Sequence, residues 1–98
     1  SAENIPKAIG YQLFRIVQEC LTNIMKHAEA SEVRIDLQFD SKKIQLNVSD
    51  NGKGLPENLK SQGFGIRGMQ ERVESMHGNL DIQSSPGNGT KLQVTIPL

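Results

Sequence analysis

The sequence predicts one α+β domain in which two amphipathic helices accompany four short strands, the strands pairing largely antiparallel. Three observations carry this. Apolar residues recur at threes and fours in two stretches, the helical period, and alternate singly in four others, the period of a half-buried strand. Two of the alternating stretches, 32–39 and 43–50, are separated only by Asp40-Ser41-Lys42, which suits a hairpin. Nowhere do strands and helices follow one another in the β-α-β-α succession of a parallel, doubly wound sheet.

Residues 7–28 form the first helix. Ile9, Leu13, Ile16, Val17, Cys20, Leu21, Ile24 and Ala28 make one apolar stripe. At the angular step of an α-helix, Gln12, Glu19, Asn23 and Lys26 fall along one edge of that stripe. Glu19, Asn23 and Lys26 can converge on one spot, since they are spaced by four and by three. The same spacing also describes a solvated flank with a weak ion pair. His27 lies closer to the apolar arc, where a histidine is more often packed than catalytic.

Ala30-Ser31 ends the helix. Val33, Ile35, Leu37 and Phe39 then share one side of a strand over residues 32–39. In the next strand, Lys43–Asp50, the inward positions are Ile44, Leu46 and Val48, and the parity continues to Asp50. An inward carboxylate is costly unless a donor meets it. Gly52 and Gly54 follow, where backbone can approach something bulky. Ser49-Asp50-Asn51-Gly52-Lys53-Gly54 therefore fits the floor of a pocket, although Asn51-Gly52 is also a strong turn signal. Residues 55–62 are polar, include Pro56 and have no period, which suits a mobile loop.

Gly63-Phe64-Gly65-Ile66-Arg67-Gly68 opens a second helix whose inner stripe is Ile66, Met69, Val73 and Met76, with Gly78 as its stop. As a string this is G-x-G-x-x-G, with Asp81 following 18 residues after Gly63, but the dinucleotide fingerprint must leave a buried strand and here a polar loop precedes it. What survives is a glycine loop at a helix N-terminus, able to offer N–H groups to a phosphate. Asn79–Ser84 is a short strand with Leu80 and Ile82 inward, Ser85-Pro86-Gly87-Asn88-Gly89 a turn, and residues 91–98 a last strand with Leu92, Val94 and Ile96 inward. Thr90 shares their parity. If this strand pairs antiparallel with the Asp50 strand, the start carrying Thr90 meets the end carrying Asp50.

Length and composition bound the rest. A chain of 98 residues makes one domain, able to bury roughly 60–70% of its unfolded surface. Eleven basic and eleven acidic residues balance, so nothing favours nucleic acid or an anionic membrane as partner. One cysteine excludes an intrachain disulfide and fits a reducing, cytoplasmic compartment. No apolar run has the length of a spanning helix or signal peptide.

Four pieces of the chain, in order, resemble one superfamily. Glu19-x-x-x-Asn23-x-x-Lys26-His27-Ala28 resembles the N box of the GHKL ATPases. Asp50-x-Gly52-x-Gly54, Gly63-Phe64-Gly65-Ile66-Arg67-Gly68 and Gly87-x-Gly89-Thr90 resemble their successive glycine boxes. Within the superfamily the chain is most similar to the catalytic, ATP-binding domain of two-component sensor histidine kinases, in the subclass of the nitrate/nitrite sensors. That subclass also carries a run like Gly68-Met69-Gln70-Glu71-Arg72. The resemblance covers nearly the whole chain. It implies the Bergerat ATP-binding fold, a two-layer α/β sandwich in which a mixed, mostly antiparallel sheet carries helices on one face.

The resemblance also implies roles. Asp50 would accept a hydrogen bond from the exocyclic amine of adenine, with Thr90 supporting that contact directly or through water. Gly52 and Gly54 would let base and sugar approach the backbone. Asn23 would hold Mg²⁺ between the phosphates, Lys26 would offset their charge, and His27 would lie beside them. Residues 55–62 would be the lid, and Gly63, Gly65 and Gly68 would frame the phosphates. Two features depart from most histidine kinases. Glu19 stands where most have Asn, as in this subclass and in gyrase-like ATPases, so hydrolysis competes with transfer as a reading. The glycines at 63, 65 and 68 do not keep the G-x-G-x-G spacing.

The expectation is a single catalytic domain over residues 1–98 that binds ATP and Mg²⁺. It would pass the γ-phosphoryl to a histidine on a separate helical dimerisation domain, and thence to a response regulator with helix-turn-helix output. Neither His27 nor His77 lies in an acceptor-like motif, so the chain alone should not phosphorylate itself and should be monomeric, without nucleic-acid or direct membrane contact, whether or not its parent is membrane-anchored. The alternatives are a GHKL ATPase or an anti-sigma-factor-like serine kinase, and, from another class, an interaction domain without nucleotide.

Overall fold

The computed structural model describes residues 5–54 and 66–98, without the side chains of residues 27 and 28. The expected lid over residues 55–62, with Gly63 and Gly65, lies outside the described residues.

Four strands form one sheet in the order β1-β2-β4-β3, with β1 Val33–Phe39, β2 Lys43–Asp50, β3 Asn79–Ser84 and β4 Thr90–Pro97. Every pairing among the described strands is antiparallel, where the resemblance allowed a mixed sheet. Two hairpins account for the order, and their central strands β2 and β4 join along their whole length, Lys43 opposite Pro97 and Asp50 opposite Thr90. Asp40 closes the first hairpin: its Oδ1 accepts the N–H groups of Lys42 at 2.7 Å and Lys43 at 3.0 Å. Those two donors hold its carboxyl below the usual carboxylate range.

Helix α1, Lys7–Asn23, and helix α2, Ile66–Ser75, lie on one face of the sheet. That face presents Ile44, Leu46 and Val48 from β2, and Leu92, Val94 and Ile96 from β4, all buried. Leu13, Ile16 and Cys20 of α1 and Met69 and Val73 of α2 close on them, with Met76 just beyond. Ile16, Ile44, Val94 and Ile96 have no exposed surface, and each such side chain is worth about 1.5–3 kcal/mol of transfer from water. Arg72 of α2 donates through Nη1 to Oε1 of Gln12 in α1, which ties the helices together at their outer edge.

Three local features depart from the sequence expectation. The first helix is not α-helical to residue 28: it changes at Asn23 into a π-helical turn, Ile24–Ala28, ending on Glu29 in the left-handed region at φ 52°. The Ile24 N–H is shared between the carbonyl of Cys20, its α-helical partner, and that of Leu21. Secondly, Val33, Ile35, Leu37 and Phe39 do share the core-side face of β1, but they remain 36–46% exposed. The helices pack against β2, β3 and one another, and β1 stands at the sheet's edge. Thirdly, the residue that turns the chain after α2 is His77 at φ 60°, not Gly78. His77 N donates to Glu74 O and Gly78 N to Val73 O, both at 2.9 Å, the bond pair of a Schellman end. Gly78 is required by packing: a Cβ there would lie 2.7 Å from Thr95 O.

Candidate functional site: an apolar cleft with a carboxylate at its end

The C-terminal end of α1, the end of β2, the starts of β4 and α2 and the end of β3 converge on one cleft. Its lining comprises Cys20, Asn23, Ile24, Val48, Asp50, Ile66, Met69, Ile82, Thr90 and Leu92, and it spans about 440 Å³ counting its open mouth. The enclosed part is only about 40 Å³, room for a few waters, and the rest is open mouth. Most of the wall is aliphatic or sulfur-bearing, and three of its side chains, Asn23, Asp50 and Thr90, are polar.

Register explains why Asp50 and Thr90 share the cleft. They are direct cross-strand partners at the end of the β2–β4 ladder, on the face that buries Val48 and Leu92. The half-buried Asp50 carboxylate has its donor: the Gly52 N–H meets Oδ1 at 2.7 Å. This fixes one oxygen and leaves the other carboxylate oxygen as an acceptor. Thr90 Oγ1 lies 2.9 Å from Ser84 Oγ on the far side of β4, and the Ser84 hydroxyl donates to Gly89 O at 3.2 Å.

The two described glycine segments lock against each other. A Cβ on Gly89, whose φ is +71°, would lie 2.1 Å from Asp50 O; one on Gly54, at φ +77°, would lie 2.3 Å from Ser85 O. Gly87 N donates to Lys53 O at 2.8 Å, joining the same two loops. The glycine at 54 thus meets a demand of the protein's own packing. Gly68 differs: it sits in the first turn of α2 with open space where a side chain would be.

Asn51, read from sequence as part of a turn or pocket floor, is a staple between β2 and the loop before β1. Its Oδ1 accepts from Ser31 N and Glu32 N, both at 2.9 Å, and its Nδ2 donates to Ser31 Oγ at 2.8 Å. Lys53 reaches Glu29 at 3.4 Å across the same gap, an exposed pair of little energetic weight.

Of the residues nominated from sequence, Asn23, Asp50 and Thr90 line the cleft together, and Gly52 orients Asp50. Glu19 is half-buried one helical turn before Asn23. Lys26 is exposed on the π-helical turn. His27 has its backbone in that turn. Sequence reasoning did not nominate Cys20, which lies under the cleft with its Sγ 3.7 Å from Met69 Sδ. Burial, with Glu19 beside it, pushes the Cys20 thiol up to about 12. Its signal was its place in the apolar stripe one turn before Asn23.

Residues 9–98 match the family described as histidine kinase-, DNA gyrase B- and HSP90-like ATPase. The chain is 40% identical over 97 residues to the histidine-protein kinase/phosphatase DegS of Brevibacillus brevis, covering 98% of this chain and 25% of that protein. It is 37% identical over 95 residues to the sensor histidine kinase LiaS of Bacillus subtilis, covering 96% and 26%. It is 42% identical over 85 residues to the histidine-protein kinase/phosphatase UhpB of Salmonella typhimurium, covering 87% and 17%. It thus spans about a quarter or less of these relatives. The histidine kinase domain of the blue-light activated kinase from Erythrobacter litoralis superposes with a TM-score of 0.82 at 26% identity, covering 96% of this chain and 46% of that one. The chain belongs to the histidine kinase-, DNA gyrase B- and HSP90-like ATPase family.

Proposed function

We propose that this domain binds Mg²⁺-ATP in the cleft and serves, within a longer cytoplasmic or membrane-anchored sensor, to donate the γ-phosphoryl group to a histidine on a separate helical domain, for relay to a response regulator. The observation that carries this reading is Asp50: a half-buried carboxylate, held through one oxygen by Gly52 N–H, in a cleft whose wall is mostly apolar. A flat heteroaromatic base with an exocyclic amine satisfies both the apolar wall and the acceptor. When bound, ATP supplies the transferable phosphoryl group.

The chain's own residues do the rest. Asp50 and Thr90 orient the base. Asn23, on the cleft wall, offers an amide oxygen of the kind a hard cation takes. Lys26 offsets the charge of the phosphates with His27 beside them, and Gly63, Gly65 and Gly68 frame them where α2 begins, an N-terminus that favours an anion. Glu19, one turn from Asn23, is the candidate base. Among the described residues no helix is long and apolar enough to cross a membrane.

Label transfer tests this. The chain is incubated with Mg²⁺ and γ-labelled ATP, alone and with the helical acceptor domain of its parent protein. Label on the acceptor histidine and none on this chain is expected. Label on this chain alone refutes the division of labour. Rapid release of phosphate with no histidine partner, or transfer to a serine protein, favours the related ATPase or serine-kinase reading through Glu19.

A further inference from the structure

Ser84, Thr90 and Asp50 form one row across the sheet, since Ser84 is the register partner of Thr90 on β3 and Asp50 its partner on β2. Thr90 and Asp50 line the cleft, and Ser84 stands behind them, half-buried. Hydroxyl chemistry makes this row directional. Ser84 Oγ lies 3.2 Å from Gly89 O, an atom that can only accept, and 2.9 Å from Thr90 Oγ1. Each hydroxyl has one proton. Both contacts are satisfied together in one arrangement: Ser84 gives its proton to Gly89 O, and Thr90 gives its proton to Ser84 Oγ. The opposite direction leaves the Gly89 contact without a proton. Gly89 packs closely against Asp50 O.

We propose that Ser84 is a positioning residue for base selection: by taking the Thr90 proton it fixes Thr90 as a hydrogen-bond acceptor toward the cleft. Beside Asp50, whose carboxylate only accepts, the polar end of the cleft then selects a base edge that donates, a 6-amino purine, and opposes one that presents a 6-oxo group. This rests on the ATP-site reading above and assigns a selecting role to a side chain that does not line the site. Removing Ser84 frees the Thr90 hydroxyl to rotate and donate, which is the change a 6-oxo purine needs.

The experiment measures dissociation constants of ATP and of inosine triphosphate, its 6-oxo counterpart, on the chain with Mg²⁺. The proteins are wild type, Ser84→Ala, Ser84→Thr, Thr90→Val and the Ser84→Ala/Thr90→Val pair. Because both nucleotides are measured on the same sample, the preference ratio is independent of the fraction folded. Ser84→Ala should lower the ATP preference about tenfold, the worth of one hydrogen bond. Ser84→Thr, which keeps the hydroxyl, should restore it. In the Thr90→Val background Ser84→Ala should change the ratio no further, since it acts through Thr90. An unchanged ratio in Ser84→Ala, with wild type binding ATP, overturns the proposal and leaves the site reading standing. A further loss in the Thr90→Val background also overturns it. Failure of wild type to bind either nucleotide overturns the site reading and this proposal with it.

Discussion

Substituting alanine at Gly89 and, separately, at Gly87 isolates the contact on which the site's geometry depends. Both residues have positive φ, +71° and +83°, so both substitutions incur the left-handed penalty of an L-residue, about 1–2 kcal/mol. They differ in surroundings. A Cβ at Gly87 meets nothing within 4 Å, whereas one at Gly89 lies 2.1 Å from Asp50 O. That contact must open to at least 3.0 Å, against backbone rather than a flexible side-chain end. The strand start at Thr90 and the strand end at Asp50 are then forced apart, adding about 1–3 kcal/mol of overpacking. In a domain whose total stability is on the order of 5–15 kcal/mol, Gly89→Ala should cost about 2–5 kcal/mol and Gly87→Ala about 1–2 kcal/mol. At about 4–8 °C per kcal/mol, thermal unfolding should fall by roughly 8–40 °C in the first variant and 4–16 °C in the second. Urea denaturation gives the free energies directly, and nucleotide titration should show the Gly89 variant losing affinity while the Gly87 variant retains it. Equal stability losses in the two variants would refute the claim that Gly89 is packed against the Asp50 backbone.

Other expectations follow from separate parts of the structure. Cys20 should resist iodoacetamide at pH 8 in the folded chain and react readily in urea, because its thiol is shielded and its pKa lies near 12. The folded chain holds that proton more tightly than the unfolded chain, whose thiol titrates near 9.0, so this contribution to stability is complete below pH 9 and is lost as pH rises toward 12. Asn51→Ala removes three side-chain hydrogen bonds to Ser31 and Glu32 and should cost about 1–2 kcal/mol by urea denaturation. His77→Gly should stabilise the domain by about 1 kcal/mol by relieving the left-handed residue, and Gly78→Ala should destabilise it through Thr95 O, both read by thermal unfolding.

The strand parities were legible because alternation is a local property. Ile44, Leu46 and Val48, then Leu92, Val94 and Ile96, read directly as two inward rows, and continuing each row by one step brought Asp50 and Thr90 to the same end of the sheet. Local pattern does not say where a strand lies in the sheet, and so the apolar row of β1 was identified but its exposure at the edge was not. The π-helical turn after Asn23 has no glycine or proline to announce it. Asn51 and Gly89 were visible only as turn residues, because their work is done on backbone that is distant in sequence. His77 was hidden by the glycine that follows it. Ser84 had no signal of its own, and its place in the row with Thr90 and Asp50 emerges only from the register.

The central claim is that Asp50 closes an adenine-binding cleft. Thermal unfolding of wild type and Asp50→Asn, each with and without Mg²⁺-ATP, tests it most directly. Ligand at about 100 times its dissociation constant stabilises by about 2.7 kcal/mol, a rise on the order of 10 °C or more in a domain of this size. The account predicts that rise in wild type and its loss in Asp50→Asn. No rise in wild type at millimolar Mg²⁺-ATP, or an equal rise in both proteins, would contradict it.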